Sequence, residues 1–142
     1  GRPGDVVVGV DIRQLCDPLL EFAFGEAARL GCRVRAVHAW TLPPLVREAS
    51  ALMAAEQDLT PGVERGLAAV LAHWERQYPS VPVVALAPVG PAAPVLVRAA
   101  AGAELVVVGR RSRRPTLGAH IGPVTHAVVH HCAAPVAVVA HR

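Results

Sequence analysis

The sequence lacks the features that mark several classes of protein. Its 142 residues hold no apolar run near the roughly 20 residues that cross a bilayer, because Pro, Gly and Arg interrupt every candidate. Cys16, Cys32 and Cys132 are odd in number and far apart, so they predict neither a disulfide framework nor a zinc site. No secretory signal is seen at residues 1–4, which we interpret as a solvated leader. We therefore expect a cytoplasmic protein without a membrane partner.

Motifs of common catalytic and cofactor sites are also missing. G-x-G-x-x-G and G-x-x-x-x-G-K-[ST] do not occur, so a dinucleotide-binding or P-loop reading has no support. Ser112 does not lie in a G-x-S-x-G elbow, and no spacing identifies a base for it. We predict no catalytic residue and no enzyme activity.

Three histidines cluster near the end of the chain. His126 and His130 are four residues apart, and His131 follows. On a helix this spacing places two rings on one face, where they can hold a metal ion. Apart from Cys132 no further ligand is near, so the interpretation we favour is histidines on a polar face, with no dedicated metal.

What the sequence does contain is enough apolar surface for one folded domain. Apolar residues make up 53% of the chain, and its length suits a single domain, which we assign to 1–142 with its core at 5–140. The net charge of +3 is small. Clustered arginines occur at 110–114, which indicates a local anion site rather than a nucleic-acid surface.

Apolar β-branched runs alternate with segments of helical periodicity. The runs at 5–10 and 105–108 have no polar face, as in strands covered on both sides. This alternation predicts an α/β domain with a five-stranded parallel sheet and helices on both faces. The remaining predicted strands are 32–40, 81–88 and 135–140, and the predicted helices are 18–30, 48–57, 60–78, 91–101 and 123–131.

Cap signals set several of these boundaries. We predict Asp17 as the N-cap of the first helix, with Pro18 as its first residue, and the same cap-plus-proline signal at Thr60. Phe22 and Phe24 are expected to pack in the core. Trp40 either forms a wall of the core, which we favour, or stacks on a base.

A basic, glycine-bounded segment follows the strand at 105–108. Gly109 begins it, Arg110-Arg111-Ser112-Arg113-Arg114 follows, and Gly122 precedes a helix start at Pro123. Glycine backbone and the positive end of a helix can together hold a phosphate. A solvated arginine loop is an equally good interpretation of the charge alone.

The spacing G-x2-S-x9-G-P at 109–123 resembles the loop G-x2-G-x9-G-[S/T] of the universal stress protein family. The resemblance implies an adenine nucleotide alpha hydrolase-like fold, that is, a Rossmann-like three-layer α/β/α sandwich with strand order 3-2-1-4-5. It also implies ATP or AMP as a ligand. Carried over position by position, the ligand-binding residues would be Gly9, Val10, Asp11, Ala39, Val108, Gly109, Ser112, Gly122, Val124 and Thr125.

Asp11 has two interpretations. In the family an aspartate after the first strand lies near adenosine, and a carboxylate there can accept a hydrogen bond from a ribose hydroxyl. It can equally fix the loop that follows it. Ile12 and Arg13 stand where relatives have small residues, and their bulk is expected to crowd the adenosine pocket.

Two departures from the family loop predict weak binding. Ser112 adds a side chain where the backbone favours glycine, and Pro123 removes a hydroxyl and an N–H from the helix start. If each lost phosphate contact contributes about 1.5–3 kcal/mol, affinity falls on the order of a hundredfold or more.

The functional reading is a regulatory stress-response domain that binds ATP or AMP weakly. The alternative is a module of the same family that has lost its nucleotide and acts through dimerisation or a partner surface. An enzyme of the same architecture, either a slow ATP hydrolase or an adenylyl-type transferase, is a further alternative. The family resemblance and an apolar last strand predict a homodimer through 135–140, besides a regulatory protein partner whose identity stays open.

Overall fold

Strands and helices alternate along the whole described chain. The computed structural model describes residues 4–42, 49–111 and 123–141. The elements are β1 (Asp5–Gly9), α1 (Asp17–Leu30), β2 (Arg33–Val37), α2 (Ala49–Gln77), β3 (Val83–Leu86), α3 (Ala92–Ala99), β4 (Leu105–Arg111), α4 (Pro123–His131) and β5 (Val136–His141).

The strands form one parallel sheet in the order β3-β2-β1-β4-β5. The predicted fold class and strand order are confirmed. β1 lies at the centre, where Val6, Val7 and Val8 are fully buried because helices cover both faces. This burial explains why the run carries no polar residue.

Each face of the sheet has its own core. Val6 and Val8 of β1 pack with the buried residues of α1 and α2, whereas Val7 packs with those of α3 and α4. Alternate residues of one strand therefore serve opposite layers, as the pleat requires. The result is the predicted three-layer α/β/α sandwich.

The first helix begins one residue earlier than its cap signal predicts. Asp17 is already helical, and the N-cap is Cys16, which makes no side-chain capping bond. The other end agrees with expectation: Gly31 takes the left-handed conformation, φ 70°, and its N–H donates to the Ala27 carbonyl.

A single helix replaces the two predicted at 48–57 and 60–78. α2 runs through Pro61 without a break, and the Thr60 hydroxyl donates to the Glu56 carbonyl, 2.6 Å away, instead of capping a new helix. Leu67, Leu71 and Trp74 anchor the second half in the core. Tertiary packing thus carries the helix past a residue that removes one of its backbone hydrogen bonds.

Strand ends and aromatic burial also differ from expectation. β2 stops at Val37 and β3 starts at Val83, after Pro82, which has no N–H to donate to the ladder. Phe24 is fully buried as predicted, but Phe22 is 38% exposed, so its assignment to the core was wrong.

The third helix is shorter than the predicted span of 91–101. Pro91 is its N-cap and Ala100 its C-cap, and Gly102 lies beyond the helix with φ 76°. Within the described ranges, no helix is both long and apolar enough to cross a membrane.

Candidate functional site

The end of β1 lies beside the middle of β4. Val8 of β1 pairs with Val107 of β4 in parallel register, so the residues that follow, Gly9–Asp11 and Val108-Gly109, lie side by side toward the carboxyl ends of the strands. From β1 the chain proceeds toward β2 and β3, then returns to the other side of β1 as β4. This reversal of strand order is the kind of crevice in which open α/β sheets bind ligands.

Gly9 lies in close contact with Leu96 of α3. A Cβ at this position would lie 3.2 Å from Leu96 Cδ2 of α3 and 2.9 Å from Cδ1, and the second distance is shorter than real Cβ contacts, so the leucine side chain would have to shift. Glycine therefore allows α3 to pack against the end of β1. This packing requirement was not foreseen from the sequence.

Val10 is held on both sides by its neighbours. Its N–H donates to the Val37 carbonyl at 2.9 Å, and its carbonyl lies 3.0 Å from Nδ1 of His38. Because a carbonyl can only accept, Nδ1 carries the proton and donates it. His38 is buried, so a satisfied core histidine fixes the backbone just before Asp11.

The Asp11 carboxylate holds its own loop. Oδ1 accepts from the Arg13 backbone N–H at 2.9 Å and from Arg13 Nε at 3.3 Å. These contacts match the loop-fixing interpretation of this aspartate. With 42% of its side chain exposed, the carboxylate remains open to a hydrogen bond from a ligand hydroxyl.

Ile12 packs toward α2. Its Cδ1 lies 3.4 Å from where a Cβ would stand on Gly66 of α2, and the side chain is partly buried against the core beneath that helix. Core packing thus accounts for the bulk of Ile12. Arg13 is 83% exposed beside Asp11.

The Thr125 hydroxyl donates a hydrogen bond to the backbone of β4. Thr125 is only 4% exposed, and its Oγ1 donates to the Gly109 carbonyl at 2.7 Å. A hydroxyl has one proton to donate, so in this arrangement Thr125 cannot also donate to a phosphate. The bond joins the first turn of α4 to β4.

Val124 and Val108 pack in the same core layer.

Ala39 and Trp40 follow β2 at the same edge of the sheet. Ala39 packs partly buried against the core of α3 and α4. Trp40 forms an isolated bridge with Val89, and its Nε1 donates to the Ala87 carbonyl at 2.8 Å. The indole N–H therefore has its hydrogen-bond partner within the chain, which favours the interpretation of Trp40 as a residue that borders the core.

The arginine-rich segment is described only in part. β4 continues to Arg111, with Gly109, Arg110 and Arg111 paired to Val139, Ala140 and His141. The predicted loop start at Gly109 was therefore wrong by three residues, because β5 extends the ladder. Ser112 and Gly122 lie outside the described residues, as do Arg113 and Arg114.

The thiols are not activated. Burial raises the pKa of Cys16 above its ordinary value of 9.0, an effect that a hydrogen bond from the Leu19 backbone partly opposes. Burial also raises the pKa values of Cys32 and Cys132. A nucleophilic cysteine needs a lowered pKa, so these environments favour structural thiols.

Sequence reasoning missed two residues that shape this edge, His38 and Leu96. The alternation of 32–40 puts His38 on the buried side with Val34 and Ala36, but it indicates no hydrogen-bond partner for the ring. Its bond to Val10 joins residues 28 positions apart. No sequence signal points to Leu96 as the neighbour of Gly9.

The chain is similar to universal stress proteins over nearly its whole length. The model of the Universal stress protein family matches residues 4–140. The universal stress protein Rv2005c of Mycobacterium tuberculosis is 37% identical over 133 residues, which cover 94% of this chain and 44% of that protein. The chain therefore spans less than half the length of the curated relatives it matches.

Solved structures show the same fold. Universal stress protein UspA from Lactobacillus plantarum matches with a TM-score of 0.69 at 16% identity, covering 98% of this chain and 99% of that one. A universal stress protein in complex with cAMP matches with 0.58 at 21% identity, covering 96% and 95%. The Archaeoglobus fulgidus protein in complex with dAMP matches with 0.57 at 20% identity, covering 95% and 96%. At these identities the likeness shows the fold alone.

Proposed function

The chain belongs to the universal stress protein family, and from that premise we propose that it binds an adenine nucleotide, ATP or AMP, between the end of β1 and the adjoining residues of β4. The observation that carries the proposal is the adjacency of Gly9–Asp11 and Val108-Gly109 at the point where strand order reverses. Relatives of the same fold in complex with cAMP and dAMP support this ligand class.

The proposed contacts divide the nucleotide among three strand ends. The backbone of Gly9 and Val10, with the half-exposed Asp11 carboxylate, would face the ribose. Ala39, a small residue after β2, would let the backbone meet adenine. Phosphates would lie toward Val108, Gly109, Ser112, Gly122 and the start of α4 at Val124 and Thr125.

The affinity we propose is weak. Ser112 and Pro123 replace a glycine and a hydroxyl residue of the family loop, and the Thr125 hydroxyl is engaged with Gly109. Each lost phosphate contact of about 1.5–3 kcal/mol weakens binding roughly tenfold to more than a hundredfold.

A regulatory role follows from binding without turnover. A nucleotide that prefers the folded state stabilises it and shifts the conformations that a partner protein meets. We place this activity in the cytoplasm, where the three free thiols would stay reduced. Phosphate release that persists in an Asp11→Asn variant would indicate a contaminating hydrolase and give no support to an enzyme.

Isothermal titration with ATP and AMP tests the binding proposal. We expect heat of binding in the wild type and weaker binding in Asp11→Asn. Glu75→Gln is the matched control, because it removes one exposed carboxylate near the far end of α2. Absence of heat at millimolar nucleotide, or equal binding by both variants, would refute the proposal.

A second candidate is a dimeric module of the same family that works without nucleotide. It is favoured by the internal bonds of Asp11 and Thr125 and by the apolar edge at β5. Val138 on this edge strand is 39% exposed and Val129 on α4 is 45% exposed. Pairing of β5 with a second copy would cover this edge.

Light scattering tests the dimer through 135–140. A mass near 14.8 kDa at micromolar concentration would contradict it. If the wild type is a dimer, Val138→Lys should dissociate it because a charge would be buried in the interface. Met53→Lys is the control, since Met53 is exposed on α2 and should leave the mass unchanged.

A further inference from the structure

The outer face of α4 carries a pair of histidines in contact. His126 and His130 are both exposed, and their ring centroids lie 4.3 Å apart with an interplanar angle of 46°. The opposite face of the helix is buried through Thr125 and Val128. The two imidazoles therefore project outward together from a helix whose other side is held by the core.

Adjacent imidazoles on a helix can share one metal ion. Neutral imidazole nitrogen is a ligand for Zn²⁺, Cu²⁺ and Ni²⁺, whereas Mg²⁺ and Ca²⁺ prefer oxygen. Rings one helical turn apart can both reach an ion at the usual distance of about 2.0–2.1 Å after small rotations about their side-chain bonds. Because the helix already holds the two rings together, little conformational freedom is lost when the second ring binds.

We propose that His126 and His130 form a two-ligand site for a divalent transition metal ion on the outer face of α4. Ligand count in the sequence argues against a complete site, and in the described ranges no cluster of three or more metal-ligating side chains occurs. The contact between the two rings, which only the structure shows, is the observation that supports a two-ligand site. With two protein ligands, the remaining coordination positions are filled by water.

A bound ion would stabilise α4. The helix spans nine residues, and its first turn holds the Gly109 carbonyl through Thr125. A metal that links positions 126 and 130 favours the folded helix over the unfolded chain by mass action. The site is independent of nucleotide binding, and its test uses no nucleotide.

Ni²⁺ is the probe, because it prefers imidazole and does not oxidise thiols readily. Isothermal titration with NiCl₂ should show one ion bound per chain in the wild type. His126→Gln and His130→Gln should each weaken binding by about tenfold or more, since each leaves a single imidazole. His131→Gln is the matched control, because it removes an exposed histidine that lies outside the ring pair.

Two kinds of result would overturn the proposal, namely absence of binding and a pattern among the variants that does not single out the histidine pair. One is absence of binding by the wild type up to roughly 1 mM Ni²⁺, an affinity too weak for a chelate. The other is a His131→Gln variant that loses as much affinity as the other two, or three variants that all bind like the wild type. Circular dichroism confirms that each variant is folded.

Hydrogen exchange locates the ion independently of affinity. Saturating Ni²⁺ should slow amide exchange in α4, at positions 126–131, more than in α1. MgCl₂ at the same concentration should have no effect. Equal slowing throughout the chain, or slowing confined to another element, would also overturn the assignment.

Discussion

The hydrogen bond from Thr125 to Gly109 gives the most direct test of how α4 is joined to β4. Replacing Thr125 by Val keeps the shape of a buried side chain and removes the hydroxyl that donates to the Gly109 carbonyl at 2.7 Å. The Gly109 carbonyl then loses a partner at a partly buried position. We expect the free energy of unfolding to fall by about 1–3 kcal/mol.

The sign of the effect is informative. Without a hydrogen bond, a Thr→Val change in a core position would be neutral or stabilising, because it buries a methyl group in place of a polar hydroxyl. A loss of about 1–3 kcal/mol corresponds to a fall in Tm of roughly 3–10 °C for a domain of this size. Urea unfolding followed by circular dichroism measures the loss of free energy of unfolding.

Thr60→Val is the matched control. The Thr60 hydroxyl also donates to a carbonyl, that of Glu56 in the same helix, but at an exposed position where water can replace it. We expect a change within about 0.5 kcal/mol. The reasoning is refuted if Thr125→Val is as stable as the wild type, or if it lowers ATP affinity more than tenfold without loss of stability, because the hydroxyl would then serve the ligand.

Three further outcomes follow from the same structure. Pro61→Ala should raise the free energy of unfolding by about 1–3 kcal/mol in thermal denaturation, because it restores the N–H that α2 lacks opposite the Gln57 carbonyl; a neutral or destabilising result would favour a helix start at this position. Gly9→Ala should cost about 1–3 kcal/mol because its Cβ would lie 2.9 Å from Leu96 Cδ1. A Gly9→Ala, Leu96→Ala double variant that loses the full sum of the single losses would contradict that contact. Burial raises the pKa of the Cys16 thiol. Above pH 9.0, the ordinary pKa of a thiol, the unfolded chain therefore loses a proton that the folded chain still keeps. Stability should be full below that pH and fall as the pH rises beyond it, and Cys16→Ala should lessen the fall in urea titrations; an identical pH profile for the variant would argue against it.

The candidate site could be predicted from the sequence as a location but not as a set of contacts. The β-branched runs around Val7 and Val107 predict buried parallel strands, and the family resemblance implies that the two are neighbours, as the structure has them. Residues that follow such strands meet at one edge. The sequence left two roles open for Asp11 and indicated no partner within the chain for the Thr125 hydroxyl. Asp11 bonds Arg13, and Thr125 bonds Gly109 across 16 positions of sequence.

Local signals failed where tertiary packing outweighed them. Thr60-Pro61 has the composition of a helix start, yet Leu67 and Leu71 extend one helix through it by packing on the sheet. Phe22 has the hydrophobicity of a core residue, but the face of α1 that meets the sheet is set by Leu20 and Phe24. Propensity is a weak prior wherever a helix has a large surface to bury.

The sequence by itself determined the class of fold, because β-branched runs alternating with amphipathic segments can bury their apolar faces in few arrangements. It also determined the family, through the spacing of Gly109 and Gly122. The tertiary structure alone decided which polar groups are already satisfied. Hydrogen bonds such as His38 to Val10 join residues distant in sequence, and such pairings exist only once the strands are assembled.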